Sequence, residues 1–257
     1  MEMWKFYDIT HRDHIICNPT SEEKLEYLLE LLRLPAGARV IDIACGKGEF
    51  VIRLAEAYGV DCLGIDLSPF FIDEARKRLE GRVSEAEVTF REMDGAEFEP
   101  EEPDSFAMAS CLGASWIYGG HVGTLEALKR MVAPGGWVVT GEPYWLQEPC
   151  EEHLRVLGLP KEAFRTHFGN FEAGEELGLD LVHTIVSNVD DWDRYEGLQW
   201  AATAEYASSH PEDPDIPELV RRVGEEKSNY LRWGRDTLGW AIYVFRRPLI
   251  QPVMHAD

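Results

Sequence analysis

Leu25, Leu28, Leu29 and Leu32 recur at steps of three and four, the spacing of one helix face, and predict an amphipathic helix there. Thr20 and Glu23 stand three apart just ahead of that stripe and read as its capping box, while Leu34-Pro35-Ala36-Gly37 stops it. The pattern then changes to short, nearly continuous apolar runs, each leading into a helical stripe. Residues 39–44 read as a buried first strand, after which Gly46 and Gly48 turn the chain into a helix carrying Phe50, Val51, Leu54 and Ala55. A second strand is predicted over 61–66. Ser68-Pro69 then opens a helix, because proline at the first helical position gives up an N–H that has no partner there. Third and fourth strands are predicted over 87–91 and 105–110, and a helix over 124–131 closes on Pro134-Gly135-Gly136, the turn before a fifth strand at 137–140.

Beyond Trp145 the rhythm changes. Short helices are predicted within 149–168, a further helix over 170–178 and a sixth strand over 181–189. Two long helical stretches, 190–208 and 215–235, flank His210-Pro211-Glu212-Asp213-Pro214, and 239–245 reads as the last strand. Strands alternating with helices at this spacing predict an α/β fold, a doubly wound and mostly parallel sheet with helices on both faces. The organisation read from the sequence is an N-terminal segment and helix over 1–34, a core over 35–145, a helical insertion over 146–180, and the last two strands over 181–250 enclosing a helical cap at 190–238.

Composition narrows the function classes. The 257 residues carry 25 Lys and Arg against 47 Asp and Glu, a formal net charge of −22, so phosphate backbones and anionic lipid surfaces are disfavoured partners. The five cysteines, Cys17, Cys45, Cys62, Cys111 and Cys150, form no C-x-x-C pair and outline neither a disulfide framework nor a zinc ribbon. The opening Met1-Glu2-Met3-Trp4-Lys5 lacks the basic start and apolar stretch of a secretory signal, and a cytoplasmic location is expected.

The chemistry concentrates at the strand ends. In Val40-Ile41-Asp42-Ile43-Ala44-Cys45-Gly46-Lys47-Gly48-Glu49 a strand enters a glycine turn and then a helix, which brings backbone close to a ligand at the sheet's C-terminal edge. Asp66, 24 residues after Asp42, ends the second strand, where a carboxylate can accept both hydroxyls of a ribose. Met93-Asp94-Gly95-Ala96 adds an acid after the third strand. Helix N-capping is the plainer reading of Asp66 and Asp94, and an ordinary tight turn the plainer reading of the glycines. A dinucleotide fingerprint wants a third small residue where Val51 stands, and Glu49 occupies the place a pyrophosphate would meet the helix. A sulfonium nucleoside has no phosphate and carries positive charge, so these surroundings favour S-adenosylmethionine.

On these residues the sequence resembles the class I S-adenosylmethionine-dependent methyltransferases, particularly small-molecule enzymes of the ubiquinone/menaquinone C-methyltransferase type, from about Pro35 to Pro143. Asn18-Pro19, Gly113-Ala114-Ser115-Trp116-Ile117 and Gly141-Glu142-Pro143-Tyr144-Trp145 extend a narrower resemblance, to a bacterial subgroup, over nearly the whole chain. The resemblance implies a Rossmann-like seven-stranded sheet with its last strand antiparallel. It also implies that Asp42, Ala44, Gly46 and Gly48 hold the methionine end of the cofactor and that Asp66 takes the ribose. Leu67 would pack on the adenine, Asp94 would accept from its amino group, and Gly95 or Ala96 would add backbone contact. Cys111 and Leu112 would line the space near the sulfur. The family usually has glycine where this chain has Ala44, a change tolerable if the backbone there needs no positive φ.

A small-molecule acceptor is expected over the same sheet edge. Trp116, Tyr144 and Trp145 follow strands four and five. Trp192, Tyr195, Gln199, Ala202 and Tyr206 share a face of the cap helix, with Tyr230 and Trp233 on the next able to oppose them. Such aromatics also suit an ordinary core. Glu142, His121 and Tyr144 are the candidate general bases for in-line methyl transfer. His11, His14 and Cys17 read as a gating segment over the cofactor in preference to a metal site. The rival readings are a non-catalytic cofactor sensor, a thiol or arsenite methyltransferase, and an NAD-type oxidoreductase.

Overall fold

The computed structural model describes residues 1–83 and 86–249. Seven strands, β1 (Arg39–Ile43), β2 (Asp61–Asp66), β3 (Val88–Glu92), β4 (Phe106–Leu112), β5 (Val132–Trp145), β6 (Asp180–Val186) and β7 (Leu238–Arg246), form one sheet in the order β3-β2-β1-β4-β5-β7-β6. Pairings among β1 to β5 are parallel, and β7 alone runs antiparallel, against both β5 and β6. The strand order reverses between β1 and β4, which opens a crevice at the C-terminal edge where α/β sheets bind ligands.

Helices cover both faces, and the period of two along β1 assigns its side chains to them. Val40 joins a core with Leu25, Leu28, Phe50, Leu54 and Ile72 from α2 (Glu22–Leu32), α3 (Glu49–Tyr58) and α4 (Pro69–Leu79). Ile41 and Ile43 face the other way, onto Leu125, Leu128 and Ala173 from α5 (His121–Met131) and α7 (His167–Glu176). Leu25, Leu28 and Leu32 are fully buried, each worth about 1.5–3 kcal/mol, so packing of one stripe holds α2 in place.

Three local expectations are corrected. Ser21, not Thr20, caps α2, its hydroxyl accepting from the Lys24 N–H at 3.3 Å. Thr20 instead accepts from the Trp240 indole at 3.0 Å, tying the chain before α2 to β7. Pro134-Gly135-Gly136 lies inside β5 rather than before it. The run survives as strand because Gly135 takes φ +80 at a register shift against β4, and a Cβ on Gly136 would sit 2.8 Å from the Ala107 carbonyl.

The third correction concerns the N-terminal segment, which begins with a helix that sequence reading left undescribed, α1 (Met3–Thr10). Its Phe6 and Ile9 pack with Leu219 and Val223 of α9 (Ile216–Asn229), and Lys5 bridges Asp213 and Asp215 at 2.8 and 2.7 Å. Together α1, α8 (Val189–Ser209) and α9 form the cap above the sheet edge. Among the described residues no helix is long and apolar enough to cross a membrane.

Candidate functional site

Between the sheet edge and the cap lies a cavity of about 530 Å³, within the range of small-molecule sites. Its floor is the loop after β1. Ala44, Gly46 and Gly48 all take left-handed φ values there, +57, +55 and +73. The condition for tolerating alanine at position 44 is therefore not met. Its methyl is held in a conformation that costs an L residue about 1–2 kcal/mol. Gly46 faces the cavity, and a Cβ there would meet only Cys17, at 3.6 Å. Gly48 is not on the cavity wall. A Cβ there would fall 2.5 Å from the Phe90 ring, so this glycine serves the contact of α3 with β3.

Asp66 ends β2 with 8% of its surface exposed and organises the loop beside it. One carboxylate oxygen accepts from the Gly46 N–H at 2.9 Å and the other from the Ser68 N–H at 2.8 Å. Burial pushes its pKa up and these N–H bonds pull it down, with a net rise. Each oxygen keeps a further lone pair, so the bonding leaves Asp66 able to accept from a ligand. Asp42 is buried on the same wall, bonded by the Ser110 hydroxyl at 2.7 Å and pushed up to about 7, chiefly by burial. Asp94 caps a short 3-10 turn by accepting from the Ala96 N–H at 2.9 Å, and it also lines the cavity with Leu67, Gly95 and Leu112. Ala96 and Cys111 do not. Glu49 turns to Arg53 and Arg82 at 2.7 and 3.0 Å; burial raises its pKa, but those arginines outweigh it and leave it lowered.

The roof comes from the N-terminal segment and α8. The Lys47 ammonium reaches up from the loop to the carbonyls of His11, Arg12 and His14 at 2.6, 3.0 and 3.3 Å, in the segment that follows α1. His11 meets the Tyr195 hydroxyl at 3.0 Å and His14 the Tyr195 carbonyl at 2.9 Å. Burial drives both imidazoles well below the usual range, to about 3 and about 4. Thr10 spends its hydroxyl proton on the Phe6 carbonyl at 2.9 Å, so its oxygen accepts from Nδ1–H of His11, 3.0 Å away. Nε2 of His11 is then the acceptor, and Tyr195 donates to it. These bonds engage two of the three residues read as a gating segment, and place it over the cavity.

The acceptor-side expectations divide. Trp116, 74% exposed, Trp192 and Tyr195 line the cavity. Tyr144, Trp145, Tyr230, Glu142 and His121 do not. Tyr144 is buried against His167, Trp145 donates to the Lys161 carbonyl at 2.8 Å, and Tyr230 stacks on Trp192 from behind while bonding Asp193 at 2.7 Å. Glu142 and His121 belong to a buried cluster behind the edge. The Ser115 hydroxyl donates to one Glu142 oxygen at 3.0 Å, and the other lies 3.9 Å from Nδ1 of His121. Burial raises Glu142 to about 7 and lowers His121 to about 4, so both tend to the uncharged form. The wall also includes Trp4, Tyr7 and Trp240, which sequence reading did not single out. Trp4, Tyr7 and His11 step by three and four, the signal that identifies a helix facing the site.

Residues 40–136 match the family described as a methyltransferase domain. The protein YjhP of Escherichia coli is 31% identical over 95% of this chain and 98% of its own length. A crystal structure of an S-adenosylmethionine-dependent methyltransferase from Geobacter sulfurreducens, in complex with S-adenosyl-L-homocysteine, superposes with a TM-score of 0.87 at 33% identity, covering 94% of this chain and 97% of that one. Trans-aconitate 2-methyltransferase of Methylobacterium nodulans is 36% identical over 54% of this chain and 51% of its own.

Proposed function

The chain belongs to the class I S-adenosylmethionine-dependent methyltransferases, and on that premise we propose that it methylates a small molecule held between the sheet edge and the cap. The single observation carrying this reading is the cavity: one continuous space runs from the carboxylates of Asp66 and Asp94 to the aromatic wall of α1 and α8. A donor and an acceptor can share it. A cofactor sensor would be expected to fill the acceptor half with its own tryptophans; here Trp4, Trp116, Trp192 and Trp240 line the cavity but leave about 530 Å³ open, and Trp145 lies outside it.

The chemistry of the residues suits the cofactor. Asp66 and Asp94 are acceptors for hydroxyl and amino groups, Leu67 offers an exposed apolar surface for a base, and Asp42 with the Ala44–Gly46 backbone suits an amino acid end. S-adenosylmethionine supplies a methyl group activated by the sulfonium. The chain's part is to align the acceptor's lone pair with that carbon and exclude water, and alignment alone can account for a large share of the rate. The new bond forms to the methyl carbon as the carbon–sulfur pair stays with sulfur, and any proton on the acceptor atom leaves with solvent. His11, lowered to about 3, is too weak a base to take it at neutral pH, and Glu142, His121 and Tyr144 are off the cavity wall. An acceptor that is nucleophilic in its own right needs none of these groups.

The likeness to the trans-aconitate enzyme covers only 54% of this chain; it supports the shared donor chemistry and does not identify the acceptor. The test is a screen of small-molecule acceptors with labelled methyl donor, products followed by mass. Label appearing in a defined product, and lost when Trp192→Ala removes part of the aromatic wall, supports the reading. Binding of S-adenosylhomocysteine without transfer to any acceptor in a broad library would favour the sensor.

A further inference from the structure

The charges on the cavity wall are segregated by element. Every Asp, Glu and Lys that lines it, namely Asp42, Lys47, Glu49, Asp66 and Asp94, follows or ends β1, β2 or β3. The facing wall is built by α1, the segment after it, the turn after β4, β5, α8 and β7. Among its described residues it offers no Asp, Glu, Lys or Arg. It presents Trp4, Tyr7, Trp116, Trp192, Tyr195 and Trp240 instead. Among the described lining residues the one lysine, Lys47, is spent on three backbone carbonyls.

From this we propose that the methyl acceptor is a largely apolar, ring-bearing molecule without carboxylate or phosphate groups, and that a cationic substituent on it is accommodated. The inference rests on the methyltransferase reading and deepens it. A carboxylate placed against the α1–α8 wall would lose its water and meet no side-chain cation on that wall, with Asp66 and Asp94 across the cavity adding repulsion. An aromatic ring meets edges and faces of its own kind there, and an ammonium group finds indole faces and a favourable field. The wall's polar atoms are neutral: the Tyr195 hydroxyl donates to His11, Thr20 already accepts from Trp240, and the Asn18 amide donates to the Leu112 carbonyl at 3.2 Å. They can orient a hydroxyl or amine, but they do not balance an anion.

Three probes that share a 4-hydroxyphenyl ring and differ in the charge of a short side chain test this: tyrosol, tyramine and 4-hydroxyphenylacetate, each titrated calorimetrically into the protein saturated with S-adenosylhomocysteine. The proposal expects tyrosol and tyramine to bind and 4-hydroxyphenylacetate to bind at least about tenfold more weakly. Trp116→Arg adds a cation at an exposed wall position that the fold does not depend on, and it should narrow that gap by strengthening the carboxylate probe. Equal or tighter binding of 4-hydroxyphenylacetate to the unaltered protein overturns the proposal, as does failure of all three to bind. Failure of S-adenosylhomocysteine itself to bind would instead sink the methyltransferase reading beneath it.

Discussion

Ala44 carries the cost of a left-handed backbone that glycine would avoid. Ala44→Gly removes that cost, about 1–2 kcal/mol, and gives back about 0.4–1 kcal/mol through the looser unfolded chain. The expected outcome is a protein more stable by roughly 0.5–1 kcal/mol, a Tm rise of about 1–4 °C for a chain of this size, read by calorimetric unfolding; a fall in Tm would mean that the methyl makes a contact worth more than the strain. Glu142 makes the opposite kind of prediction. Its pKa rises from 4.5 unfolded to about 7 folded, so its contribution to stability is complete below about 4.5 and is lost as pH climbs through 7. Glu142→Gln keeps the bond from Ser115 without the charge. It should stabilise the fold by about 2–3 kcal/mol at pH 8 and by little at pH 5, with methyl transfer unaffected because the residue lies behind the cavity wall. An equal Tm shift at both pH values would contradict this account. Sequence alone offered Glu142 as a candidate base, and nothing in the linear order tells that the residue is buried behind the cavity wall.

At the scale of elements, α1 and the loop after β1 are joined by Lys47. The three carbonyls it binds follow α1 and begin the segment over the cavity, so the loop that forms the cavity floor also fastens the roof. Losing such a charged hydrogen-bonding hub costs about 1.5–3 kcal/mol, which raises local opening by roughly 10- to 150-fold. Lys47→Met should therefore speed amide exchange in residues 3–16 by that order while leaving β1, β4 and β5 unchanged; uniform protection in the variant would show that Phe6 and Ile9 alone hold α1 down. Strands with continuous apolar runs and helices with leucine stripes were legible from the sequence, since each writes its period locally. The first helix was missed: at eight residues it offers only the short steps of Trp4, Tyr7 and His11, and its partners in α8 and α9 lie some two hundred positions away. The cap of α2 moved by one residue for the same reason: Thr20 has a distant claim on it, from Trp240.

Over the whole molecule, the proposed function depends on the β1–β3 side supplying charge and the cap supplying aromatic surface. The first half follows from topology: carboxylates at the tips of β1, β2 and β3 share one rim because parallel strands end together. The second half combines α1, the turn after β4, α8 and β7, and only tertiary packing reveals that Trp4, Tyr7 and Trp240 share a wall while Tyr144, Trp145 and Tyr230 fall behind it. The central claim is that Asp66 grips the methyl donor, and calorimetric titration of S-adenosylhomocysteine into the wild-type protein and Asp66→Ala tests it most directly. Loss of its charge-assisted hydrogen bonds, at about 1.5–3 kcal/mol, predicts binding weaker by roughly 10- to 150-fold in the variant. Affinity unchanged by the substitution would contradict it.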